Sequence, residues 1–254
     1  MEGRKTRPLR SLGLWSTTAT LTPLVALVAG ASALLGDKKG RVWWNATRAW
    51  ATGITGSAGV TDLIVKGVEV LYDADPCLLM ANHESHLDPP AIIRSSDRPI
   101  GFLAKAELKR VPVMGWAMER TGHVFVDRQN KDRSHASIDR AAARVAEGRC
   151  VLVFPEGTRT QTDDLLPFKK GGFVLAVKSQ VPIIPIGIAG TRAIVPSQSN
   201  VVVGTGPVAV VYGQPIATAH HTLDTKDALI AEVRQAILAL RDEARALIAE
   251  HAAR

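Results

Sequence analysis

One heptapeptide carries a histidine and a carboxylate at a spacing acid–base chemistry can use: Asn82-His83-Glu84-Ser85-His86-Leu87-Asp88. An imidazole held by a carboxylate is a general-base pair, because the carboxylate fixes the tautomer and stabilises the imidazolium that forms. Within one continuous helix the five-residue separation would set His83 and Asp88 about 140° apart. They can meet only across a turn, and the flanking sequence supplies one. The apolar run Cys77-Leu78-Leu79-Met80-Ala81 reads as a buried strand, and Pro89-Pro90 opens a helix with Asp88 as its cap. Two other readings remain open at this point. Asp88 could be a helix cap alone, with His83 exposed in the loop. His83, His86 and Asp88 could instead ligate a metal, but no cysteine falls in the block and no later histidine pair supplies a ligand at zinc-finger spacing. No metal is expected.

A second polar turn follows a second apolar strand. Cys150-Val151-Leu152-Val153-Phe154 runs into Pro155-Glu156-Gly157-Thr158-Arg159-Thr160. Gly157 lets backbone approach a ligand closely, and Arg159 can grip a phosphate with a bidentate fork. By itself such a turn could be a solvated loop. Two further strands end in cations, residues 100–105 at Lys105 and residues 123–128 at Arg128. In an open α/β sheet, ligand sites gather where strands end and helices begin.

The elements that must position these residues alternate. Residues 64–72 pattern as a half-exposed strand. Short helices are expected over 112–120, stopped by Gly122, over 134–147, stopped by Gly148, and over 173–179. Residues 181–188 form an apolar strand interrupted by Pro182 and Pro185, which suggests a strand irregular along one edge. Residues 201–203 and 208–212 read as a hairpin. Leu229, Val233, Ile237, Leu240, Ala244, Leu247 and Ile248 mark an amphipathic closing helix over 224–253. The expected fold class is α/β, with a mixed, mostly parallel central sheet flanked by helices. Cys77 and Cys150 sit in apolar runs and read as buried thiols rather than a disulfide or redox pair.

The net charge of +7 is unevenly placed. Residues 1–50 hold Arg4, Lys5, Arg7, Arg10, Lys38, Lys39, Arg41 and Arg48 against Glu2 and Asp37, leaving the rest of the chain near neutral. Trp15, Trp43, Trp44 and Trp50 fall in the same stretch, the composition of a membrane interface rather than of a nucleic-acid groove. Residues 12–36 carry no charge, enough length to span a bilayer, yet cations at both ends give no orientation. Pro23 could also kink a segment that returns to the same face. Ala31-Ser32-Ala33 leaves a signal-peptide reading open, but the tryptophans continue beyond it. The expected division is a membrane-associated helical segment over 1–60 and an α/β domain over 61–254.

The blocks together resemble the glycerolipid acyltransferase family, and within it most the bacterial 1-acyl-sn-glycerol-3-phosphate acyltransferases. Its Asn-His-x-x-x-x-Asp block is matched by Asn82, His83 and Asp88; its Asp-Arg strand end by Asp127-Arg128; its Phe-Pro-Glu-Gly-Thr-Arg-Ser block by residues 154–160, with Thr160 in the last position; its Val-Pro-Ile-Ile-Pro run by residues 181–185. The resemblance covers residues 75–190. It implies direct transfer of a fatty acyl group from acyl-CoA or acyl carrier protein to the sn-2 hydroxyl of lysophosphatidic acid, giving phosphatidic acid. His83 would be the base and Asp88 its orienting partner. Glu156, Gly157, Thr158 and Arg159, with Arg128, would hold the acceptor's glycerol phosphate, and Lys105 a phosphate or oxyanion. No cofactor is implied beyond the acyl donor, nor any nucleic acid; the bilayer is the implied partner and the cytoplasmic face of the cell membrane the implied location. No nucleophile elbow is present, and neither cysteine lies in a polar turn, so no acyl-enzyme is suggested. An acceptor of another lysophospholipid or lyso-ornithine type, or a membrane lipid-binding protein without turnover, remain the competing readings.

Overall fold

The structure, a computed structural model, describes residues 6–37, 40–74, 76–111, 114–126, 131–146, 148 and 150–253. In chain order the elements are α1 (Pro8–Leu34), α2 (Arg41–Ala58), β1 (Val60–Lys66), α3 (Val70–Asp73), β2 (Cys77–Ala81), α4 (Asp88–Ser95) and β3 (Ile100–Lys105). A 3-10 turn (Ala106–Arg110) leads to α5 (Met114–Arg120), β4 (Val124–Val126), α6 (Lys131–Ala146), β5 (Cys150–Val153) and α7 (Gly171–Ser179). The chain closes with β6 (Ile183–Ala189), α8 (Thr191–Ile194), β7 (Gly206–Tyr212) and α9 (Lys226–Ala252).

The strands make one sheet in the order β1-β7-β6-β2-β5-β3-β4, and each neighbouring pair is parallel except β6 with β7. The sheet is mixed, mostly parallel and covered by helices on both faces. That coverage explains why β2, β5 and β6 are apolar without alternation: a strand buried on both sides has no polar face to show. The pleat still sorts β2 between two cores. Leu79 and Ala81 face Trp44 of α2 and Ala91 and Ile92 of α4, while Leu78 and Met80 face Phe173 of α7 and Leu229 and Val233 of α9. Cys77 and Cys150, paired in register on β2 and β5, are buried thiols whose sulfurs lie 2.8 Å apart.

Three expectations need correction. Residues 201–203 and 208–212 form no hairpin: β7 pairs instead with β1 in parallel and β6 in antiparallel. Val202 turns to the start of α1, donating its N–H to Ser11 Oγ at 3.0 Å and accepting from Arg7 N–H at 2.8 Å. β6, the strand interrupted by prolines, lies between β7 and β2. Pro185 is tolerated there because the β6–β7 ladder begins only at Ile186, so no bond to β7 needs its missing N–H. The strand expected over 64–72 starts earlier, at Val60, and ends before Gly67, whose φ of 75° breaks it ahead of α3. Trp43 and Trp44 are buried, and Trp44 donates its indole N–H to the Ser96 carbonyl at 3.2 Å. They seat α2 on the sheet domain rather than at a lipid interface. Trp50 likewise holds α2 to α1, through Thr22 Oγ1 at 3.0 Å.

Candidate active site

Three adjacent parallel strands set the site. β2 lies between β6 and β5, so their carboxyl ends open on one edge. His83 leaves β2, Phe154 and Glu156 leave β5, and Thr191 follows β6. Asn82 locks the first and third of these turns together. Its side-chain amide donates to the Ile188 carbonyl at 2.9 Å and its Oδ1 accepts the Ile188 N–H at 2.8 Å.

His83 and Asp88 meet across the turn, with Nδ1 2.7 Å from Oδ2. The same oxygen accepts the N–H groups of Glu84 at 2.7 Å and Ser85 at 2.8 Å, and Oδ1 accepts the Thr191 hydroxyl at 2.5 Å. Asp88 makes no side-chain cap to α4, so it is spent on the turn and the imidazole rather than on the helix. Its side chain is fully buried, whereas that of His83 keeps 17% of its surface. With Nδ1 engaged, Nε2 is the ring nitrogen left for a reacting proton. The imidazole stacks on Phe154, ring centres 4.0 Å apart and 19° from parallel. Ser85 is no nucleophile: it is buried and donates to the Val195 carbonyl at 2.7 Å.

Glu156, expected beside the acceptor's phosphate, turns both oxygens to backbone donors. It is 1% exposed, and its two oxygens accept the N–H of His83 and the N–H of Leu166, each at 2.8 Å. Burial pushes its carboxyl up, and those two backbone donors pull the other way. A carboxylate so occupied positions the His83 turn against the 155–166 loop. Thr160 adds a second tie, its N–H donating to the His83 carbonyl at 2.8 Å. Gly157 adopts φ 73°, which only glycine takes without strain, and a Cβ there would press to 3.2 Å from the Lys169 side chain. Gly157 and Thr158 are exposed at the mouth of the turn, and Arg159 is half-buried. The Arg159 Nη1 is buried and without a partner among the described residues. His86 is held below the ordinary imidazole range by burial first and then by the Arg159 charge. Lys105 ends β3, but its side chain lies outside the described residues, as does Arg128 altogether.

Behind Phe154 a cavity of about 760 Å³ opens between the sheet, α6 and α7. Leu103, Val126, Ile138, Val153 and Leu175 line its depth, and Pro155, Gly157 and Lys169 lie at its polar side. An apolar pocket therefore borders the turn that carries the imidazole's stacking partner.

A family model described as Acyltransferase matches residues 62–189, half of the chain and every strand from β2 to β6. The chain belongs to this acyltransferase family. A 1-acyl-sn-glycerol-3-phosphate acyltransferase of Chlamydomonas reinhardtii is 33% identical over 205 residues, 80% of this acyltransferase and 58% of that protein. One from Saccharomyces cerevisiae is 35% identical over 176 residues, covering 68% and 57%. The chain spans about half the length of the relatives it matches, 44%, 58% and 43% for three of them. The crystal structure of the 1-acyl-sn-glycerophosphate acyltransferase PlsC from Thermotoga maritima shares the fold, with a TM-score of 0.78 over 94% of this chain and 96% of that one at 24% identity. Of the residues this acyltransferase brings to His83, sequence reasoning missed Phe154 as a stacking surface and Thr191 as a donor to Asp88. Thr191 left one faint signal: it follows Gly190 at the end of an apolar strand, where a site in such a sheet is expected.

Proposed function

We propose that this acyltransferase moves a fatty acyl group from an acyl thioester, acyl-CoA or acyl carrier protein, to the sn-2 hydroxyl of 1-acyl-sn-glycerol-3-phosphate, giving phosphatidic acid. The observation that carries the reading is the His83 Nδ1–Asp88 Oδ2 contact of 2.7 Å, with Asp88 fully buried and every oxygen engaged by donors. His83 Nε2 takes the hydroxyl proton as the oxygen attacks the thioester carbonyl. The tetrahedral intermediate collapses with loss of thiolate, which takes the proton back as thiol. Such a base contributes about 10²–10⁴-fold. A buried Ser85 and two strand-borne cysteines leave direct transfer as the simpler route. The names of the relatives support the acceptor, and the unpartnered Arg159 Nη1 offers its phosphate a charged donor. The cavity behind Phe154 would take the donor's acyl chain.

Acceptor and product are lipids, and α1 offers the route to them. Over 8–32 it is long and apolar enough to cross a membrane, and Leu9, Leu12, Leu24 and Leu27 stand exposed. Yet its start bonds to Val202, its Trp15 indole to the Asn200 carbonyl at 2.7 Å, Thr22 to Trp50 of α2, and Gly30 packs on Trp116 of α5. A helix held to the domain along its length lies in one leaflet rather than spanning both. The test is thiol release from oleoyl-CoA with lysophosphatidic acid, beside lysophosphatidylcholine and no acceptor. Release with lysophosphatidic acid alone is expected. Equal release with lysophosphatidylcholine would remove the phosphate-headed acceptor, and silence with both CoA and acyl carrier protein donors would end the enzymatic reading.

A further inference from the structure

Glu84 is 5% exposed, lies against the catalytic pair and has no part in the mechanism above. Thr191 stands between it and Asp88, with Oγ1 2.5 Å from Asp88 Oδ1 and 3.2 Å from Glu84 Oε1. A threonine hydroxyl has one proton to give. The shorter contact assigns it to Asp88, whose other oxygen is already filled by three N–H donors. Thr191 therefore turns lone pairs toward Glu84, and an ionised Glu84 would set two acceptors face to face. We propose that Glu84 is a positioning residue of the His83 base, held protonated so that it donates to Thr191, which donates to Asp88, which accepts from His83. The proposal rests on the reading of His83 as the base.

The charges around Glu84 agree. Asp88 on α4, Arg192 on α8 and Arg241 on α9 face it. The Arg192 backbone N–H reaches Oε1 only at 3.5 Å, while its guanidinium pairs with Asp163 and donates to the Thr162 carbonyl. Arg241 donates to the Asp163 carbonyl at 2.5 Å, and Arg245 pairs with the Asp163 carboxylate at 3.2 Å. The arginines thus serve the 161–164 loop, and among the described residues no cation pairs with Glu84. Burial, and then the Asp88 charge, push the Glu84 carboxyl up to about 7. Through Thr191 the neutral acid fixes which way the Asp88 bonds run, and its ionisation would release the hydroxyl proton from that direction.

Two variants separate the roles. Glu84→Gln keeps a donor toward Thr191, and Glu84→Leu removes it. In Glu84→Leu, kcat with lysophosphatidic acid is expected to fall about tenfold or more, and Glu84→Gln to restore it with no change in KM. Wild-type kcat should decline as pH rises past about 7, an inflection that Glu84→Gln lacks. A readout free of activity is melting temperature. A carboxyl raised in the fold contributes stability that is full below its unfolded pKa and is lost as pH rises through about 7, so the Gln variant should gain on wild type over that range. Superimposable kcat profiles would overturn the positioning role, and a melting difference constant with pH would overturn the protonated acid. Wild type inactive on every acyl thioester would sink the base assignment instead, with the melting comparison still reading Glu84.

Discussion

Asp88 spends one oxygen on three N–H donors and the other on a hydroxyl, so each replacement of that carboxylate has a definite cost. An asparagine in its place has one accepting oxygen and must turn an NH₂ toward a donor. Asp88→Asn is expected to lower kcat by about 10²–10⁴ while the far-ultraviolet dichroism stays native, since the base loses its tautomer but the strands do not lose their core. A variant within twofold of wild type would contradict the pair. Arg159→Ala should raise the KM for lysophosphatidic acid far more than it lowers kcat, if its Nη1, without a partner among the described residues, serves the acceptor as proposed rather than the reacting atoms. An unchanged KM would remove it from the phosphate site. At Glu84 the shift from the ordinary 4.5 to about 7 amounts to about 3 kcal/mol of stability lost between those pH values, the amount Glu84→Gln should recover.

The strand ends act as a unit because side chains tie the loops that leave them. Glu156 joins the His83 turn to Leu166, and Asn82 joins β2 to β6. Glu156→Gln offers one accepting oxygen for two backbone donors. It should lower kcat about tenfold through a misplaced His83 and leave the KM for lysophosphatidic acid unaltered; a raised KM at full kcat would return Glu156 to the acceptor site. The sequence spoke clearly where one requirement fixed the residues. Strands buried on both faces had to be apolar, which made β2 and β5 legible, and the residues after them had to be polar, which marked His83, Asp88 and Arg159. Glu156 was legible as a site residue but its hydrogen-bond partners were not, since nothing local says that they are amides 73 positions away and 10 positions on. The 201–203 valines misled for a like reason: β-propensity cannot tell a hairpin partner from a contact with the start of α1. Pro185 marked an irregular side of its strand, and the ladder to β7 begins only after it.

At the scale of the molecule, two N-terminal helices are packed onto an acyltransferase sheet, one by tryptophans and one with leucines left outside. The same compositional signal, apolar and aromatic residues among cations, thus divides into two physical roles. Trp44→Ala should cost about 3–5 kcal/mol of stability and leave vesicle binding in place, because Trp44 is core. Leu12→Ser with Leu24→Ser and Leu27→Ser should do the reverse, weakening co-sedimentation with anionic vesicles at an unchanged melting temperature, since each exposed leucine offers about 1.5–3 kcal/mol to an apolar phase. Loss of vesicle binding in Trp44→Ala with the leucine variant unaffected would move the lipid face to α2. In the proposed function the whole arrangement, a sheet edge carrying His83 beside an apolar pocket and a helix with exposed leucines, would serve one reaction between an acyl thioester and a lipid hydroxyl. The most direct measurement of that claim is thiol release from oleoyl-CoA with lysophosphatidic acid by wild type and by His83→Ala. Rapid, acceptor-dependent release by wild type and its loss in a folded His83→Ala is the expected result; undiminished release by His83→Ala would contradict the base at the centre of the site.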